Sequence, residues 1–155
     1  MKKRDRLLVY LGLLPDDFEI LNGSIRVQMG MFLFRVRNEN LLKGDFYEFK
    51  PYIYGPSSLE IYEDLALMEK EKLVVQRDCP QQHRYTILEP LGTAKFKELI
   101  SGAYDMDAVL IENLLAIKKW LKNLSFLEML NYIYSNYPDY RMATTSTAHT
   151  LETLV

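Results

Sequence analysis

The chain has 155 residues, of which 48% are hydrophobic and 12% are aromatic. This is enough apolar material for one domain to bury a core without disulfides or a bound metal. The formal net charge of −2 argues against a strongly basic nucleic-acid binder, but it is compatible with a local basic patch. Cys79 is the single cysteine, which excludes an intramolecular disulfide and a cysteine-rich zinc site.

The first element expected is a helix over residues 3–14, where leucines recur on one helical face. Its apolar run is too short for a membrane span, and Pro15 ends it without a small-residue cleavage site. We therefore expect a soluble, cytoplasmic protein with no membrane segment. A second helix is predicted over residues 24–38, with Ser24 as its N-cap. Gly30 in the middle of that helix weakens it and suggests close packing.

An aromatic segment follows between residues 45 and 54. Its aromatic content favours a strand, while Pro51 excludes the centre of a sheet. We therefore expect an extra edge strand here. The aromatic side chains are Phe46, Tyr47, Phe49, Tyr52 and Tyr54.

A third long helix is predicted over residues 57–72, after a Tyr-Gly-Pro-Ser-Ser turn. Strands over residues 73–77 and 84–88 then form a hairpin, and a helix follows from Pro90 to about Gly102. Helical spacing predicts that an acidic set, Glu60, Asp64 and Glu71, shares one outward face of the third helix. The side chains expected to face inward from this helix are Leu59, Tyr62, Leu65, Ala66 and Met68.

The last third of the chain is predicted to be helical. Residues 105–122 begin with acids and end with lysines, including Lys118, which is the charge order that a helix dipole favours. Ser125 and Glu128 have the spacing of a capping box, which predicts a helix from Phe126 to about Tyr137.

A helix followed directly by a two-strand hairpin, and then by a helix near Leu-Gly-Thr, is typical of winged-helix proteins. The expected fold class is α+β and mostly helical: a winged-helix-like domain with a two-strand wing, an extra edge strand and a helical C-terminal extension. We expect the domain over residues 1–104, the extension packed on it over 105–140, and a mobile tail over 141–155. The link of roughly 18 residues between the second and third helices exceeds the tight turn of a helix-turn-helix.

Two segments resemble a known family. They are Ile-Arg-Val-Gln-Met over residues 25–29, followed by Phe-Leu at 32–33, and Phe-Lys-Pro-Tyr-Ile-Tyr-Gly-Pro-Ser-Ser over residues 49–58. Tyr-Pro-Asp-Tyr at 137–140 matches a further feature. The chain is similar to the YwgA-like proteins and the related SocA-like (Panacea-domain) antitoxins over about residues 5–140. Such proteins usually have a lysine after the glutamine, where this chain has Met29. The resemblance implies the fold and a toxin-binding or adaptor role.

The sequence carries few signs of catalysis, so we expect no enzyme, no cofactor and no metal site. It lacks a phosphate-binding glycine loop, a nucleophile elbow and a dinucleotide fingerprint. The two histidines, His83 and His149, have no second ligand at metal-binding spacing. Cys79 lies near Arg77 and His83, which could lower its pKa, but an exposed turn cysteine is the preferred interpretation.

DNA binding is the alternative function. In a winged helix the third helix enters the major groove, and the acids of this one would repel phosphates. Polar and cationic residues instead gather at the wing and at the N-terminus, although each cluster is also compatible with ordinary solvated surface. The candidate DNA-binding residues are Lys2, Lys3, Arg4, Arg77, His83 and Arg84.

The preferred function is binding of another protein, such as a toxin or a protease component. Tyrosine joins a large contact area to a polar tip, and we expect about half of the aromatic segment to pack in the core. The start of the third helix at Ser57 and Ser58 offers backbone N–H groups to an anion, with plain N-capping as the alternative. The candidate partner-binding residues are Phe46, Tyr47, Phe49, Tyr52, Tyr54 and Ser57.

A second aromatic group occupies the last predicted helix and the residues after it. Helical spacing places most of its members in the core or in a helix–helix contact, and a homodimer is compatible with the latter. The group consists of Tyr132, Tyr134, Tyr137 and Tyr140. The sequence thus predicts a non-catalytic regulatory module, antitoxin-like or an adaptor, whose partner it does not identify.

Overall fold

A computed structural model describes residues 1–77 and 83–142 of the chain. Within these ranges the fold is α+β and mostly helical, with a two-stranded antiparallel sheet, as the sequence predicted at this level. The helices and strands are α1 (Lys3–Gly12), α2 (Phe18–Leu21), α3 (Ser24–Arg37), α4 (Glu39–Leu42), α5 (Leu59–Lys70), β1 (Val74–Arg77), β2 (Arg84–Ile87), α6 (Leu91–Ser101), α7 (Asp105–Lys122) and α8 (Phe126–Asn136).

The predicted long helices and both strands begin and end within two residues of the observed bounds. Apolar periodicity was sufficient to find most of them, and the Ser125–Glu128 capping box is present in both directions. The expected N-cap at Ser24 is wrong, because Gly23 is the N-cap of α3 and Ser24 is the first residue of the helix. The short helices α2 and α4 were missed, because each has only one turn and therefore too few residues to show a period.

Helix α1 lies in the centre of the core. Its side chains from Leu7 to Leu11 are buried, and the helix packs against α5, α6, α7 and β2. The close packing expected at Gly30 is confirmed, because a Cβ atom there would lie 2.1 Å from the Tyr10 hydroxyl oxygen. Glycine therefore allows α3 to approach the ring of Tyr10, which is itself fully buried.

Lys118, one of the lysines that give α7 its dipole-favoured charge order, is fully buried. Its ammonium group donates hydrogen bonds to the backbone carbonyls of Tyr10, Leu11 and Leu13, where α1 ends. A cation at this position satisfies carbonyls that have no partner inside the helix. Burial lowers the pKa of Lys118 from 10.5 to about 7, and the carboxylate of Asp17 opposes the shift.

The sheet is a hairpin in which Val74 pairs with Ile87 and Arg77 pairs with Arg84. The residues just before α3 lie beside the other edge of β2. Gly23 forms a single bridge with Arg84, and the amide of Asn22 donates hydrogen bonds to the carbonyls of Leu11 and Tyr85. Residues 22–24 therefore extend the hairpin by one short extended segment.

The extra edge strand expected over residues 45–54 is wrong. This segment makes only one isolated bridge, between Lys50 and Ser57, and does not join β1 or β2. Its first three rings are buried and its last two lie in a local turn, so the aromatic content reflects burial against α3 and not membership of a sheet.

The C-terminal helices share the core of the rest of the chain. Helix α7 packs against α1, α2 and α3 through Leu110, Leu114, Ile117 and Leu121, all of which are buried. A 3-10 turn at Pro138–Tyr140 follows α8. Of the tail predicted over 141–155, residues 143–155 lie outside the described residues.

Candidate partner-binding surface

The first three rings of the aromatic segment are buried, so they cannot form a partner-binding surface. Phe46 packs edge-on against Phe34, and Phe49 packs edge-on against Phe32, with ring centroids 5.2 and 5.6 Å apart. Tyr47 is fully buried. The proposal of Phe46, Tyr47 and Phe49 as partner-binding residues is therefore corrected: they hold the segment onto α3.

Tyr47 also connects the segment to α5. Its hydroxyl donates a 2.6 Å hydrogen bond to Oδ2 of Asp64. Burial, together with this bond and the nearby carboxylates of Asp64 and Glu60, raises the pKa of the Tyr47 phenol far above 10. The ring is thus fixed at both ends, by packing and by a hydrogen bond.

The last two tyrosines lie on a short hairpin that packs against the core through Ile53 and Tyr54. Lys50 and Ser57 exchange two backbone hydrogen bonds of 2.9 Å, and the N–H of Gly55 donates to the carbonyl of Tyr52 to close the turn. Tyr52 is 52% exposed, whereas Tyr54 is half-buried. Their ring centroids are 6.0 Å apart. We call residues 50–57 the aromatic hairpin.

A buried glutamine anchors the base of the aromatic hairpin. The side-chain amide of Gln28, on α3, accepts a 2.9 Å hydrogen bond from the N–H of Ser58 and donates a 3.0 Å bond to the carbonyl of the same residue. Both residues are buried. This pair of bonds resembles one rung of a sheet, and it joins the two sequence segments on which the family resemblance rests.

Ser57 does not offer the free backbone N–H that the sequence suggested. That N–H donates to Lys50, and the N-cap of α5 is Ser58, whose side chain makes no capping hydrogen bond. The residue that follows, Leu59, opens α5 at the base of the hairpin and is 73% exposed. An exposed leucine there adds apolar surface beside the aromatic hairpin.

The prediction of the buried face of α5 is correct in part. Leu65 and Met68 are buried as expected, together with Ile61, while Leu59, Tyr62 and Ala66, which were also expected inward, are exposed. Both sets have helical spacing, and the buried set is the one that contacts α1 and the β1–β2 hairpin.

The acidic set of α5 is paired within the chain and does not project freely. Glu60 forms an ion pair with Lys3, and Glu71 forms one of 3.0 Å with Arg4. Asp64 accepts the bond from Tyr47. The predicted repulsion between these acids and phosphates is therefore reduced, but the pairs also occupy two of the three N-terminal cations proposed for DNA. Lys2, Lys3 and Arg4 all line one shallow cavity, of about 370 Å³, together with Asp45 and Asp64.

The cationic residues of the β1–β2 hairpin are also engaged. Arg77 and Arg84 lie opposite each other in the last described pair of the hairpin, and Nε of Arg77 donates to the hydroxyl of Thr86. Nε of Arg84 donates to the carbonyl of Glu19. His83 is exposed, and its carbonyl accepts a bond from the N–H of Ser24. Residues 78–82, including Cys79, lie outside the described residues, as does His149.

The second aromatic group packs inside the chain. Tyr137 and Tyr140 contact the ring of Phe32 at centroid distances of 5.4 and 4.6 Å, and Tyr132 contacts Trp120 at 4.7 Å. These three rings join α3, α7 and α8, so their helical spacing reflects packing within one chain.

The described residues contain no cluster of three His, Cys, Asp or Glu side chains that could hold a metal ion. Nor does any helix in these ranges have the length and apolar character to cross a membrane. A cavity of about 390 Å³ lies between the end of α1, β2 and α6. Its lining is mostly apolar, including Phe18 and Phe96, and its titratable lining residues are Glu89 and Lys97.

Sequence reasoning missed three features of this surface: the anchor at Gln28, the buried Lys118, and the exposed side of α5. The Ile-Arg-Val-Gln-Met segment at residues 25–29 was identified through the resemblance, but nothing in the sequence shows that its glutamine contacts residue 58. For α5, the alternative spacing at 61, 65 and 68 was present and could have been weighed against the one chosen.

Comparisons with protein-family models, with curated proteins and with solved structures found no match for this chain. Its function must therefore be argued from its own residues.

Proposed function

We propose that this chain is a non-catalytic regulatory protein that works in the cytoplasm by binding another protein through the aromatic hairpin. The observation that carries the proposal is the exposed ring of Tyr52 on a hairpin that is fixed at its base by Gln28. Leu59 extends the apolar surface beside it. A large, rigid aromatic group needs little ordering on binding, which is why such groups serve as anchors in interfaces.

The proposed architecture is a winged helix with a helical C-terminal extension. The support for this architecture is the order of the elements along the chain: α1, α3, α5 and then the β1–β2 hairpin. In addition, the short segment at Gly23 pairs with β2 through a single bridge. In this interpretation α5 occupies the place of a DNA-reading helix. Its exposed side carries Leu59, Tyr62 and Leu67, which suits a protein surface better than a phosphate backbone.

An antitoxin-like or adaptor role fits this proposal, with a toxin or a protease component as the partner. Such proteins act by covering or presenting another protein, and they need no catalytic group of their own. Binding of DNA ranks lower, because Lys3, Arg4, Arg77 and Arg84 all have partners inside the chain. Neutralisation of phosphates requires cations that can leave such contacts.

The test is a comparison of two variants against one purified partner. Affinity capture with the wild-type chain identifies the partner, and calorimetry then measures its dissociation constant. We expect Tyr52→Ala with Tyr54→Ala to weaken binding at least about tenfold, as loss of an aromatic anchor commonly does. Tyr104→Ala is the matched control, because Tyr104 is 75% exposed and lies outside the aromatic hairpin. Equal affinity of the double variant and the wild type would refute the site.

A second measurement decides between protein and DNA. Gel shifts on genomic fragments at two salt concentrations should show no sequence-specific complex. A specific, salt-sensitive complex that is lost in Arg77→Ala/Arg84→Ala would place DNA binding first.

A further inference from the structure

A second exposed surface lies along the middle of α5, away from the aromatic hairpin. Positions 62, 63, 66, 67 and 70 follow the three- and four-residue spacing of one helical face, and all five residues are exposed. We call this face the α5 stripe. It consists of Tyr62, Glu63, Ala66, Leu67 and Lys70, with Tyr62 39% and Leu67 48% exposed.

The charges of the α5 stripe differ from those of three nearby acids. Glu60, Asp64 and Glu71 each bond to a side chain of the same chain. In contrast, the side chains of Glu63 and Lys70 make no hydrogen bond or ion pair with any described residue. One acid and one base are thus left available, at opposite ends of an apolar centre.

The spacing of these two charges is self-complementary. Glu63 and Lys70 are equally far from the midpoint between Ala66 and Leu67. When two copies of α5 run antiparallel about a two-fold axis at that midpoint, Glu63 of each copy lies opposite Lys70 of the other. A two-fold axis repeats every contact, so the arrangement forms two ion pairs from one surface. A parallel arrangement would instead oppose like charges.

The apolar centre fits the same arrangement. Ala66 is small, which allows two helix axes to approach to the 8–10 Å typical of packed helices. Leu67 of each copy then packs over Ala66 of the other, and Tyr62 covers each end of the contact. One helix pair buries less than the roughly 800 Å² per partner of a standard interface, so the association is weak.

We propose that a second copy of this chain docks antiparallel on the α5 stripe and forms a two-fold symmetric homodimer. This inference goes beyond the proposed function, because it concerns a different surface and a different partner. The dimer presents two aromatic hairpins at once. A dimeric or bivalent partner would then be held more tightly than by one copy, without any new contact.

The experiment uses charge reversal. Sedimentation velocity of the full chain over a range of concentrations measures self-association of the wild type and of two single variants, Glu63→Lys and Lys70→Glu. Each single variant opposes like charges twice, and we expect its association constant to fall at least about tenfold. An equimolar mixture of the two variants restores both opposite-charge pairs, so it should associate at least as well as the wild type.

The control is Glu112→Lys, which reverses an exposed charge on α7 and should leave self-association unchanged. A wild-type chain that is monomeric at all concentrations overturns the proposal, and so does a mixture that associates no better than its components. Capture of the protein partner by Glu63→Lys is measured separately. Retained capture with lost self-association shows that the two surfaces act independently. Lost capture with retained self-association contradicts both the dimer and the placement of the partner site on the aromatic hairpin.

Discussion

Replacement of Lys118 by methionine removes a buried ammonium group from the end of α1 while keeping a side chain of similar length. In the wild type this group donates to the carbonyls of Tyr10, Leu11 and Leu13, and burial lowers its pKa from 10.5 to about 7. The pH dependence of the unfolding free energy therefore reports directly on this residue.

The direction of the pH dependence of the unfolding free energy follows from how many protons the folded and unfolded states bind. Below pH 7, Lys118 is charged in both the folded and the unfolded chain, and the cost of burying the charge is fully present. Between pH 7 and 10.5 the folded chain holds the amine neutral while the unfolded chain still binds a proton, so stability increases with pH. From pH 7 to pH 9 the increase is about 2 kcal/mol. Buried tyrosines contribute only above about pH 10, where the unfolded phenols ionise.

Urea unfolding followed by circular dichroism at pH 7, 8 and 9 measures this difference. We expect the wild-type free energy of unfolding to rise over this interval relative to that of Lys118→Met, whatever the absolute difference between them at pH 7. Other groups that titrate here are present in both proteins and cancel. Parallel pH profiles for the two proteins would refute the assignment of a lowered pKa to Lys118.

Two further predictions concern packing around α3. Gln28→Ala leaves the N–H of Ser58 buried without a partner and removes one of the two bonds to its carbonyl, which still accepts from the N–H of Ile61. We therefore expect a loss of about 1–3 kcal/mol in urea unfolding, whereas Ser58→Ala, which keeps both bonds to Gln28, should lose much less. Gly30→Ala places a Cβ atom against the Tyr10 hydroxyl and should destabilise the chain by about 1–3 kcal/mol. Tyr10→Phe removes the opposing oxygen, so the double variant should recover part of this loss; full additivity of the two changes would contradict the contact.

The helices and the hairpin could be predicted from sequence because their signals are local. The Ser125–Glu128 capping box and the apolar period of α7 each lie within a few turns of one helix. The aromatic segment was different. Phe46 and Phe49 belong to an aromatic segment of the kind that is common in strands. Their conformation is determined by contacts with α3, which lies earlier in the chain and reaches them only in the folded protein.

The candidate surface was predictable only in part. Tyr52 is exposed, which its proposed binding role requires, while the pairing of Glu60 with Lys3 depends on where the N-terminus meets α5. Lys118 illustrates the same limit. A lysine in the last turns of a helix usually contacts solvent, and only the position of the end of α1 shows why this one is buried.

Gln28 forms hydrogen bonds only with main-chain atoms of residue 58, so the anchor does not depend on the side chain at that position. If the aromatic hairpin binds a partner as proposed, substitutions at the outer turn, around Tyr52, can change what it recognises without loosening its attachment to α3. Separation of attachment from recognition would allow one scaffold to acquire new partners by few mutations.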